Sequence, residues 1–124
     1  QHALDPLAGY LALAEHLLSG HAMDSAWNFG PDPSGEATVA TLADALTAHW
    51  PGATVEIAAD AHAAPHEAAT LRLDSTKART RLGWRPRWPF DEALTHTAAW
   101  YRAWHRGDDL PAFTRAQIEA FAAP

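Results

Sequence analysis

The chain has 124 residues, 48% hydrophobic, with six Trp, no Cys and a formal charge of −6: room for one packed domain, short for two, and no means of making disulfides, thiolate nucleophiles or thiolate-held zinc. No apolar run approaches the ~20 residues that cross a bilayer, and no basic-then-apolar leader opens the chain, so a cytoplasmic protein with no membrane contact is expected. All nine Lys and Arg fall from Arg72 onward among interspersed acids, which leaves room for one anionic ligand but not for the continuous basic track of a nucleic-acid binder.

The pattern "DPLAGYLALAEHLLSG" predicts a first helix capped by Asp5, with Pro6 at its start and Gly20 at its left-handed stop. Leu7, Leu11, Ala14, Leu17 and Leu18 form its apolar stripe. "AWNFG" alternates and reads as a short strand entering the loop "GPDPSG", with Asn28 tying that loop down. A second helix is expected from Thr38 to Trp50, ended by Pro51 and Gly52. Two further strands follow in "TVEIA" and "TLRL", separated by the His-containing loop "DAHAAPHEA".

In "LDSTKARTRLGWRPRW", Asp74 or Ser75 caps a two-turn basic helix that Gly83 closes in the left-handed conformation. Trp84 packs back on that turn, and Lys77, Arg79, Arg81 and Arg85 read as its wet side. Pro89 opens the next helix, with Asp91 and Glu92 in its first turn and Phe90, Leu94, Thr97, Tyr101 and Trp104 inward. A last helix is expected to start at a capping box of Thr114 and Gln117, stapled by Phe113 and Ile118. Trp27, Trp50 and Trp104 read as core. The fold expected from these elements is a small α/β (α+β) unit of short strands and at least four helices, without a complete Rossmann sheet.

Taken in order, "QHALDPLAGYLALAEHL", "AWNFGPD", "PHEA", "LDSTKARTRLGWRPRW" and "TAAWYRAWHRG" resemble the C-terminal, substrate-binding part of the extended short-chain dehydrogenase/reductase family. "QHALDPLAGY" and "PHEA" point within it to the CDP-sugar branch, the CDP-glucose 4,6-dehydratases, which are lyases. The resemblance implies that residues 1–124 are the C-terminal piece of a longer enzyme whose N-terminal, NAD-binding Rossmann domain is missing here. That family takes a hydride from sugar C4 onto NAD, loses water across C5 and C6 and returns the hydride to C6. No G-x-x-G-x-x-G occurs, and neither Tyr10 nor Tyr101 is followed by Lys at the fourth position. The chain alone is therefore expected to hold no cofactor and no catalytic residue, with NAD serving the parent enzyme.

For substrate, the resemblance places Glu67 at a nucleotide ribose, with His66 beside it, and Gln1 and His2 at the border of the same CDP-sugar site. The position that meets the phosphate in related enzymes falls on Ala64, which has no donor, so His62 or His66 would substitute, or the missing half would hold the phosphates. The alternative for each residue is plain structure: an exposed loop for His66 and Glu67, sheet for Gln1 and His2. His62 and His66 lie four apart beside Asp60 and Glu67, a zinc-like spacing on a helix. Pro65 disfavours a helix at Ala64, and no metal is expected. Rival functions are a UDP- or dTDP-sugar epimerase or dehydratase, and a non-catalytic protein-interaction domain that self-associates through the face its missing domain would cover.

Overall fold

The structure, a computed structural model, describes residues 1–56 and 72–123. It contains α1 (Leu4–Leu18), a 3-10 turn (Pro33–Gly35), α2 (Val39–Ala48), α3 (Thr76–Arg81), α4 (Phe90–Arg106) and α5 (Leu110–Ala122). Among the described residues there is no strand, so the expected α/β unit is corrected to an arrangement of five helices and extended connections. The reason is visible where residues 26–30, expected as a strand, meet Asp74 and Ser75, which follow the strand expected at 70–73. Side chains bridge these segments in place of a backbone ladder. Gly30 N–H donates to Ser75 Oγ at 2.6 Å, and Asn28 Nδ2 donates to the Asp74 carbonyl at 3.3 Å. Alternation places side chains on two faces, but a strand also needs a paired backbone neighbour. Of the remaining expected strand residues, 54–56 form no strand, and 57, 58, 70 and 71 lie outside the described residues.

Two apolar clusters hold the helices together. In the first, Phe29, Ala78 and Trp84 are buried, with Leu13, Trp27 and Leu82 packed against them. Gly9 admits this packing: a Cβ there would run into the Phe29 ring. In the second, Trp88, Ala93 and Phe121 close over Leu4 and Ala8, joining α1, α4 and α5. Burying one such side chain contributes about 1.5–3 kcal/mol.

The basic turn after α3 lies at the junction of these clusters. Gly83 does adopt the left-handed region, at φ 66°, and Trp84 N–H returns to the Ala78 carbonyl at 3.2 Å. The Trp84 indole then donates to the Asp5 carbonyl at 3.0 Å, and Arg87 N–H donates to Asp5 Oδ1 at 2.8 Å. The Arg87 guanidinium reaches onward to the Phe121 and Ala123 carbonyls at 2.8 and 3.1 Å. It thereby satisfies carbonyls that the last turn of α5 leaves without intrahelical donors. Asp5, expected as the cap of α1, instead sits inside the first turn at 0% exposure and binds another segment. Lys77, expected on a solvated face, donates to Ser25 Oγ and the Ala26 carbonyl and lies 4.3 Å from the Trp27 ring centroid.

Helix ends carry further corrections. The second helix, expected from Thr38 to Trp50, runs from Val39 to Ala48, with Thr38 as its cap, accepting from Thr41 N–H at 3.1 Å. By contrast, α5 starts at Leu110, four residues before the expected cap, with Asp109 Oδ1 accepting from Ala112 N–H and Pro111 in its first turn. Gly107 ends α4 at φ 77°, and the short link to Asp109 sends α5 back along α4. Of the three Trp read as core, Trp27 and Trp50 are half-buried and Trp104 is 60% exposed. The buried indoles are Trp84 and Trp88.

Candidate functional site

Among the described residues, the site expected from the sequence comes down to Gln1 and His2, which stand just before α1. Glu67 and His66 lie outside the described residues, as do Asp60, His62 and Ala64. Gln1 is exposed and donates from Nε2 to the Phe29 carbonyl at 3.2 Å. It stands at the divide between two clefts. One, of about 230 Å³, runs past Asp32, Ser34 and the Pro86–Phe90 segment. The other, of about 440 Å³, lies between the start of α1 and the facing sides of α4 and α5.

His2 lines the larger cleft and is almost fully buried. Its Nδ1 accepts from Leu4 N–H at 3.2 Å, so the ring caps α1 in the role assigned to Asp5. That bond leaves the ring proton on Nε2. Edge-on contact with Trp88 at 4.7 Å fixes the ring, and His96 stacks on the same indole at 3.8 Å with planes 8° apart. Burial holds the His2 pKa below its ordinary value, His96 lowers it further, and Asp5 opposes them. His2 is therefore a neutral, oriented imidazole, suited to one directed hydrogen bond rather than to attracting an anion by charge.

The rest of the larger cleft comes from residues not singled out as site residues. Trp100 Nε1 donates to Thr114 Oγ1 at 2.9 Å, and Gln117 Nε2 donates to the His96 carbonyl at 2.8 Å. Thr114 and Gln117 looked like a capping box because the spacing suits one. Within α5 that spacing puts both on a single face, turned to α4. Nothing in the sequence announces Trp100 as their partner, since the contact is made by the reversal at Gly107. In the smaller cleft, Asp32 is held below the usual carboxylate range by Ser34, whose backbone N–H and hydroxyl both donate to it at 3.1 and 2.9 Å. Its charge is therefore spent on the local turn. Among the described residues, no group of three or more His, Asp or Glu is placed to hold a metal ion.

A third hollow, of about 480 Å³, lies between α2 and α4, with Leu46, Trp50, Val55, Ala98 and Tyr101 among its lining. It is almost wholly apolar and offers no chemistry.

No protein-family model matches the chain. The chain is similar to part of a larger enzyme named for its action on an activated sugar. Over 122 residues, 98% of this chain, it is 37% identical to the CDP-glucose 4,6-dehydratase of Salmonella typhimurium (strain LT2), and it spans 34% of that protein. The matching stretch is the C-terminal part, which bears out the resemblance carried by the motifs above.

Proposed function

We propose that this chain is the nucleotide-sugar-binding C-terminal portion of a CDP-glucose 4,6-dehydratase-like enzyme of the extended short-chain dehydrogenase/reductase family. In this proposal the parent is a cytoplasmic, NAD-dependent lyase, and the chain by itself is not catalytic. The observation that carries the proposal is the 37% identity sustained over 98% of the chain. Glu67 and His66 meet the nucleotide, and Gln1 and His2 border it.

The described residues do not fit NAD. A bound pyrophosphate needs a glycine-rich turn opening a helix. The four glycines with positive φ, Gly20, Gly52, Gly83 and Gly107, follow helix ends or turns. The one nearest a following helix, Gly107, is separated from α5 by Asp108 and Asp109, which would repel phosphate. No reaction step is assigned to this chain.

The test is a two-dimensional amide NMR titration with CDP-glucose, with UDP-glucose and dTDP-glucose as controls. Saturable shifts at His2 and at residues 66–69, strongest for the CDP sugar, are expected. Equal shifts for all three would transfer the assignment to another nucleotide-sugar enzyme, and a well-dispersed spectrum without shifts would leave this chain as scaffold. A second reading, self-association, is favoured by one observation: α1 exposes Leu7, Tyr10, Leu11, Leu17 and Leu18.

A further inference from the structure

Residues 1–4 form a short strap at the start of α1, and one ring supplies most of its hold. Gln1, His2, Ala3 and Leu4 make up one wall of the cleft of about 440 Å³. His2 is almost fully buried, edge-on to Trp88 at 4.7 Å, and its Nδ1 accepts from Leu4 N–H at 3.2 Å. Ala3, at the cap position, offers no side-chain bond in its place. Besides the ring, Gln1 Nε2 donates to the Phe29 carbonyl, and Asp5 N–H donates to the His2 carbonyl at 3.1 Å. Asp5 itself is anchored independently, through Arg87 N–H and the Trp84 indole. Loosening His2 therefore frees the chain as far as Leu4 and no further.

The bond to Leu4 needs a bare Nδ1. An imidazolium donates from both nitrogens, so protonation sets Nδ1–H against Leu4 N–H and puts charge at the positive end of α1. Among the described residues, the charged or titratable groups facing the ring come from three places. They are His96 on α4, at 6.4 Å between centroids, Asp5 on α1, and the amine of Gln1. Glu92 Oε1 lies 3.9 Å from His96 Nε2. From α5, Thr114 and Gln117 line the cleft and do not titrate, and Arg87, beside Trp88, is spent on the Phe121 and Ala123 carbonyls. Burial, then His96 and the amine, outweigh Asp5, so the seated ring takes its proton at lower pH than a free one. A proton therefore favours the released ring.

We propose that residues 1–4 are an acid-released strap: with His2 neutral it closes one wall of the cleft, and with His2 protonated it lifts from Trp88 and opens the cleft at the α1 end. The device does not depend on the nucleotide-sugar reading.

The test follows the whole 124-residue chain by NMR from about pH 7.5 to about pH 5, a range spanning the ordinary imidazole value. Long-range ring correlations report the proton on His2, and heteronuclear NOEs report order along the backbone. The Nε2–H tautomer is expected at the upper end. On acidification the NOEs of Ala3 and Leu4 should fall with the midpoint of His2 protonation, while Asp5, α4 and α5 stay ordered. His2→Asn, which still accepts from Leu4 N–H, should keep Ala3 and Leu4 ordered throughout. His96→Phe retains a ring to stack on Trp88 and should move the midpoint to higher pH. Equal order of Ala3 and Leu4 at both ends, loss shared with α4 and α5, an undiminished response in His2→Asn, or an unmoved midpoint in His96→Phe would each overturn the strap.

Discussion

Asp5 shows how one side chain can join parts of the chain far apart in sequence. Its Oδ1 holds Arg87 N–H across 82 positions, while Oδ2 is buried without a partner among the described residues. Asp5→Ala would leave that N–H unsatisfied, and a loss of about 1–3 kcal/mol is expected in denaturant unfolding. Asp5→Asn retains an acceptor and should cost less. For His2 the sign follows from its lowered pKa. The unfolded chain binds the proton more readily, so the contribution of His2 is full above pH ~6.5 and is lost as pH falls through its folded value. His2→Asn, which can still accept from Leu4 N–H but does not titrate, should flatten that part of the stability–pH curve relative to the parent chain. Gly9 is a different case, a residue chosen for what it lacks. A methyl there displaces Phe29 from the first cluster. Gly9→Ala is expected to lower stability by about 1–3 kcal/mol as overpacking, despite the better helix propensity of Ala.

At the scale of elements, stops and starts differ in how legible they are. Gly20, Gly83 and Gly107 are left-handed, as Gly after a helical pattern suggests; Gly20 and Gly83 were read as such stops and Gly107 was not. A Cβ at Gly83 would meet no atom within 4 Å. Gly83→Ala should therefore cost only the backbone term, about 1–2 kcal/mol, in thermal or urea unfolding. The start of α5 was misplaced because Asp109–Leu110–Pro111 and Phe113–Thr114 both make plausible starts, and local chemistry does not rank them. Asp109→Ala should destabilise by about 1 kcal/mol through loss of the cap on Ala112 N–H. If Thr114 were the cap instead, Asp109→Ala would be silent. The α4 stripe was half right. Leu94 is buried, but Tyr101 and Trp104 are exposed, and the close contacts come from Ala93, Ala98 and Ala103. Small residues allow closer helix approach, and hydrophobicity scales rank them low, so the pattern pointed to the larger side chains.

For the whole molecule, the unpartnered side is α1, where Leu11 is 67% and Leu18 89% exposed. Such a row on one helix is more than scattered surface apolarity. Sedimentation velocity is expected to show concentration-dependent association that Leu11→Glu with Leu18→Glu abolishes. Because neither side chain is buried, the double variant should keep its helical signal.

The sequence by itself determined what depends on short spans: five helices, the left-handed turn at Gly83, and the ordered motifs that carry the likeness to CDP-glucose 4,6-dehydratase. It also brought Gln1 and His2 to attention, because they belong to one of those motifs. Tertiary structure decided whatever needs a partner distant in the chain. Residues 26–30 alternate like a strand, but pairing depends on a neighbouring backbone, and side-chain bonds to Asp74 and Ser75 took that place. Asp5, Thr114 and Gln117 suit helix caps, yet each has a distant partner across the fold, in Arg87, Trp100 and His96. A polar side chain near a helix start has a local bond available wherever the chain goes. It gives that bond up only when folding presents a buried donor or acceptor that would otherwise go unsatisfied.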